Sequence, residues 1–208
     1  SIRTLAESLF LKADYYNRYE ITLGEGTYTE TDWKGFGKYV RIKGENRDNT
    51  IINFDGNSSN ILPDDYSFSL FSGQVASSVG AGAKHIVFLM RDLYCENITF
   101  VAENCKYPIH SDNAGFKKAE FKNCWIKEKN CNYPIGIGIW GGQSLRFENC
   151  ILERDHYHTR RHAFLYHNST AQIENSLVEF INCKMLQCGG AVVYENGSNR
   201  EDILNIIN

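Results

Sequence analysis

Proline is scarce in this sequence, three in 208 residues. Regular structure is therefore seldom interrupted, and seventeen glycines are left to punctuate it with tight turns. Long apolar runs are missing. None approaches the ~20 residues of a membrane-spanning helix, and a mean hydropathy of −0.40 agrees, so no membrane partner is expected. A basic surplus is missing as well: 22 Lys and Arg stand against 25 Asp and Glu, a net charge of −3. That removes the usual footprint of a nucleic-acid binder. Seven cysteines are present, yet no C-x-x-C pair and no His/Cys spacing suited to zinc accompanies them. No metal and no other cofactor is expected. The sequence opens at Ser1 without a signal-peptide pattern, as if a targeting segment had been removed or had never existed.

What the sequence does contain is a ruler. F-K-N-C-W-I (Phe121–Ile126) returns as F-E-N-C-I-L (Phe147–Leu152), and the pattern extends to Asn97 and Asn182. The four asparagines are spaced 26, 26 and 33 residues apart. Apolar residues alternate on both sides of each Asn and change phase across it, as two short half-buried strands joined at a bend would. Asparagine suits that bend because it tolerates the left-handed region. Repetition at this interval stacks like residues about 4.8 Å apart. A third strand follows in each circuit: Y-P-I-H-S-D (Tyr107–Asp112) returns as Y-P-I-G-I-G (Tyr133–Gly138), and A-F-L-Y-H-N (Ala163–Asn168) as A-V-V-Y-E-N (Ala191–Asn196).

These patterns predict one all-β domain, a right-handed single-stranded parallel β-helix (a solenoid), with residues 4–13 as a short N-terminal capping helix. The seven extra residues of the 33-residue interval predict an inserted loop over Asp155–His162. The register also places Leu204, Ile206 and Asn208 at the positions of Val178, Phe180 and Asn182. The sequence thus stops in mid-circuit, with the expectation that 1–208 is a fragment of a longer chain. The cysteines are expected to be buried free thiols.

The stretches Glu20–Glu30, Tyr39–Asn46 and Thr50–Ile52, with a G-x-Y-x-E turn leading to a strand, a Gly and T-I-I, resemble the entry circuits of pectinesterases and the wider pectin-lyase-like superfamily. The pectinesterase acids are not matched, since the corresponding rungs read Y-P-I-H, Y-P-I-G and H-A-F-L. Y-P-I-H-S-D followed by G-I-G-I is similar to β-helical tail-spike and tail-fibre proteins of bacteriophages. That resemblance implies a bacterial surface glycan as partner, a place on a virion tail or in secretion, and homotrimers as a common state. A secreted polysaccharide hydrolase, lyase or esterase and a purely structural stalk are the alternatives.

With Ile109, Ile135, Phe164 and Val192 turned inward, Asp112, Gly138, His167 and Glu195 share one outward row, and His110, Gly136, Leu165 and Val193 another. Asp112, His110, His167 and Glu195 are the candidate acid/base residues, because carboxyl groups about 5–9.5 Å apart hydrolyse glycosides and layer spacing spans that range. A solvated sheet face explains the same residues without chemistry. Trp140, beside Gly141 and Gly142, is a candidate platform for a sugar ring. His158, Arg160, Arg161 and His162 in the insert are candidates for holding an acidic glycan, since guanidinium matches carboxylate and phosphate. Trp125 is expected only to cover an outer face.

Overall fold

The computed structural model describes residues 1–30, 36–56, 87–89, 91–105, 107–111, 116–131, 134–139, 142–155, 162–168, 175–195 and 203–208. It is almost entirely β, with one helix and three parallel sheets. The first sheet joins β1 (Tyr19–Leu23), β3 (Val40–Gly44), β6 (Leu93–Glu96), β9 (Lys118–Lys122), β12 (Ser144–Glu148), β15 (Leu177–Ile181) and β18 (Ile203–Ile207), in that order. In the second lie β2 (Gly26–Thr29), β4 (Thr50–Asp55), β7 (Thr99–Glu103), β10 (Trp125–Lys129), β13 (Ile151–Arg154) and β16 (Lys184–Leu186). The third runs through β5 (Val87–Phe88), β8 (Ile109–Ser111), β11 (Ile135–Ile139), β14 (His162–Asn168) and β17 (Gly190–Glu195). From β6 onward the chain visits the sheets in strict rotation, and each circuit pairs in parallel on the one before.

The 26-residue ruler is the register of these pairs. Phe121 lies beside Phe147, and Phe147 beside Phe180. Leu204 and Ile206 pair with Val178 and Phe180 as the counting requires. The alternating pattern becomes alternating burial: in β9, Ala119 and Phe121 are buried while Glu120 and Lys122 are not. Asn97, Asn123, Asn149 and Asn182 all have positive φ, 57°, 48°, 54° and 51°. The predicted bend is therefore a left-handed residue at each phase change. Asn123 donates from Nδ2 to Oδ1 of Asn97 at 2.8 Å.

The cysteine after each Asn fits the bend for a physical reason. Sγ of Cys150 approaches the carbonyls of Glu148 (3.4 Å) and Phe121 (3.2 Å), one in its own turn and one in the preceding circuit. Cys124 and Cys183 repeat both contacts. A small apolar side chain with a weak S–H donor meets that need. All seven cysteines are free, as expected, and burial pushes the thiols of Cys95 and Cys150 up from their ordinary value.

A second corner escaped the sequence reading. Asn104, Asn130 and Gln187 also have positive φ, 53°, 52° and 55°, between second and third strands. Asn130 Nδ2 donates to Asn104 Oδ1 (2.6 Å), and Asn104 Nδ2 to Asp55 Oδ1 (2.9 Å). The signal was present, since Asn104-Cys105 and Asn130-Cys131 are themselves 26 residues apart.

The helix α1 spans Ile2–Phe10, earlier at both ends than expected. Ser1 caps it through Oγ, and Oε1 of Glu30 accepts the Ile2 N–H at 2.8 Å. Asp14 stops any continuation by accepting the N–H groups of Tyr16 and Asn17, both at 2.8 Å, in a side-chain turn. Ile2 and Ala6 join the core cluster. The core itself is an aromatic stack: the rings of Phe121, Phe147 and Phe180 lie parallel at 5.0 and 5.2 Å.

Gly44 marks a close approach between neighbouring circuits. A Cβ there would stand 2.1 Å from the backbone oxygen of Asn97 and 3.0 Å from the Thr50 side chain. Backbone cannot move aside as a side-chain tip can, so Gly44→Ala is expected to destabilise by about 1–3 kcal/mol. Thermal melts check this, and an unchanged melting temperature would contradict the close approach.

Candidate functional site

Three of the four candidate acid/base residues, His110, His167 and Glu195, fall in the third sheet. Pairing places Gly138 beside His167 and His167 beside Glu195, one register row across three successive circuits. The parallel row runs His110, Gly136, Leu165, Val193. For the described residues the pairing matches the register expected from the sequence. Neighbouring strands lie about 4.8 Å apart, so His167 and Glu195 occupy adjacent rungs. Asp112, Trp140, His158, Arg160 and Arg161 lie outside the described residues.

His110 differs from the expectation of an open groove position. It is 4% exposed, and its ring stacks on Tyr107 with centroids 4.2 Å apart and planes 3° from parallel. Strand alternation turns it away from Ile109, but the Tyr107 ring three residues earlier closes over it. A catalytic His110 would first have to be uncovered. The neighbouring Ser111 is fully buried and donates to the Leu89 carbonyl at 3.3 Å.

His162 also moves. It heads β14, opposite Gly190, and is half-buried rather than part of the insert. At the other end, the Asp155 N–H donates to the Glu128 carbonyl, and its carboxylate accepts the Asn130 N–H at 3.0 Å. The register divides the seven extra residues instead of placing them all before β14. Paired residues are 26 apart from β10 to β13, 29 apart from β11 to β14 and 33 apart from β12 to β15, so three fall before β14 and four after it.

Arg154, which sequence reasoning overlooked, reaches from the end of β13 to the head of β14. Its Nη1 donates to the His162 carbonyl at 3.2 Å, and its Nε lies 3.5 Å from Oε2 of Glu128. Both side chains point inward and are nearly sealed, 3% and 4% exposed. At that separation the pair is longer than a hydrogen-bonded ion pair of about 2.7–2.9 Å. Burial dominates, holding the Glu128 carboxyl well above the usual range, while Arg154 pulls it down and Cys131 and Asp155 push it up. The missed signal was two opposite charges one circuit apart at inward positions.

Trp125 covers an outer face, as expected. Its Nε1 donates to Glu153 at 2.8 Å, and Lys127 Nζ sits 3.5 Å from its ring centre. Among the described residues there is no cluster of three or more metal-ligating side chains, and no helix is long and apolar enough to cross a membrane.

The class these features define is an all-β chain of parallel, stacked strands. No protein-family model and no curated protein matches it. Among solved structures it is similar to a pectin methylesterase from Yersinia enterocolitica, with 16% identity, a TM-score of 0.42, and coverage of 89% of this chain and 80% of that one.

Proposed function

We propose that this chain is a right-handed parallel β-helix of the tail-spike type that recognises a bacterial surface polysaccharide and works outside the bacterial cell, on a virion tail or in secreted form. The observation that carries the reading is the register row of Gly138, His167 and Glu195. A polymer with a repeating unit is matched by register positions repeated at a constant spacing, and Gly138, which has no side chain, leaves room beside His167. Asp112 falls on the same row by the 26-residue count, and Trp140, the insert residues and His162 would extend the contact beyond it.

The test is a glycan array with a depolymerisation assay on the wild type, Asp112→Ala and Glu195→Ala. If the row carries acid/base chemistry, each variant is expected to lose about 10²-fold or more in cleavage rate. A wild type that binds without cleaving, with binding weakened in both variants, marks a recognition module. Unchanged binding and cleavage in both variants sinks the row as the site.

A further inference from the structure

A second site lies away from the third sheet, at the start of the first. A cleft of about 400 Å³ opens between the turn before β1 and the approach to β3, lined by Arg18, Tyr19, Glu20, Lys38, Tyr39 and Arg41. It falls within the size range of small-ligand pockets, about 300–1,000 Å³. A smaller cleft of about 110 Å³ shares Lys38 and Arg41 with it and continues over Tyr94 and Lys118 toward β9. The two form a track crossing the strands.

Three cations stand in the main cleft, and each rests on a tyrosine. The Arg18 guanidinium lies 5.3 Å from the Tyr15 ring centre, Lys38 Nζ 4.8 Å from Tyr39, and the Arg41 guanidinium 4.7 Å from Tyr94. Among the described residues none of the three has a carboxylate within ion-pair distance, whereas Arg47, Arg91, Lys118 and Arg146 each have one. Glu20 pairs in register with Arg41 without closing a salt bridge. In the smaller cleft Asp92 accepts the backbone N–H groups of Lys117 and Lys118 and still acts on Lys38 at longer range, and Glu120 pairs with Lys118 at 3.0 Å. The rings hold the cations in place, so little side-chain freedom remains to be lost on binding. The Asp14 turn presents Tyr15 and Tyr16 beside them, 62% and 89% exposed. Tyr94, pushed up to about 12 by burial and by Glu96, stays a neutral phenol under Arg41.

Three cations that close no salt bridge favour an anion, but Glu20 among them disfavours a ligand that is anionic throughout. A carboxylate can only accept hydrogen bonds, so Glu20 needs a ligand that also brings hydroxyl donors. Tyrosine faces and edges suit the C–H faces of a sugar ring. We propose that this cleft binds a carboxylate-bearing sugar of an acidic polysaccharide: Arg18, Lys38 and Arg41 hold the acid, and Glu20 takes a hydroxyl. The polymer class rests on the reading above, but the site does not involve the third sheet.

The experiment is calorimetric titration of the full chain with tetrasaccharides of alginate and hyaluronan, with neutral maltotetraose, and with tripolyphosphate. A carboxylated tetrasaccharide is expected to bind at least about tenfold more tightly than maltotetraose or tripolyphosphate. Arg41→Gln and Lys38→Gln, both at exposed positions, are each expected to weaken it about tenfold, with unchanged melting temperatures. Lys129→Gln, at an exposed position on the second sheet, is expected to leave it unaltered. Tripolyphosphate binding as tightly would reduce the cleft to an unselective anion site. Absence of binding by both acidic sugars, or indifference to Arg41→Gln and Lys38→Gln, would overturn the proposal. Failure of the third-sheet reading shows separately, as glycan binding or cleavage indifferent to Glu195→Ala.

Discussion

Arg154→Met is expected to lower the melting temperature by about 6–20 °C near neutral pH. The guanidinium and its partner Glu128 are both sealed inside the stacked circuits. Removing Arg154 takes away the one group that favours the charged form of the buried Glu128 carboxyl, and breaking a buried pair costs about 3–5 kcal/mol. The double variant Glu128→Leu/Arg154→Met, which replaces both charges with apolar volume, is expected to recover most of that loss. The deficit also depends on pH in a defined direction. Burial raises the Glu128 carboxyl, and Arg154 is the one cause that lowers it. Without Arg154 the folded chain holds the Glu128 proton more tightly than the unfolded chain, whose glutamate titrates near 4.3. Stability from this group is then fully present below the unfolded value and is lost as pH rises through the folded one. Melts at pH 5 and pH 8 should show the larger deficit at pH 8. Equal deficits would mean that Glu128 does not carry the effect.

Phe147→Ala should be comparably costly, about 3–5 kcal/mol. Phe147 lies between Phe121 and Phe180, parallel to both, and meets Phe164 edge-on at 6.0 Å. The cavity would have rigid walls, because the rings on either side are held at the spacing of the strands. The damage should also be local. Each circuit packs on the one before and the one after, so stability adds up largely from neighbouring terms. Amide exchange is expected to accelerate in β9, β12 and β15 while β1 to β4 keep their protection. Uniform acceleration along the whole chain would show a single cooperative unit instead.

The first corner of each circuit was legible because two independent signals coincide there: alternation changes phase, and an Asn takes the left-handed conformation. At the second corner the residue type is not constant. Asn104 and Asn130 give way to Gln187, and Asp155 satisfies the Asn130 N–H from the next circuit. What the backbone requires is a positive φ, and side-chain identity reports that only loosely. The Glu128–Arg154 pair was hidden for another reason, since charges at inward positions look like the end of an apolar pattern. Only the register shows that they meet. For His110, alternation gives the face of a strand but not what folds over it, and Tyr107 decided that. The cleft is the least legible feature. Arg18, Lys38 and Arg41 come from two separated segments, and no spacing rule announces that exposed cations will converge on tyrosines.

The second-corner amides also have a direction. Asn130 donates back to Asn104, and Asn104 back to Asp55, so every amide dipole in that file points the same way. Such a file needs a first member that only receives, and a carboxylate fulfils that requirement where another amide would leave two hydrogens seeking acceptors. Asp55 thus ends the file as a pure acceptor. The row of turns thereby acquires a direction along the stacking axis.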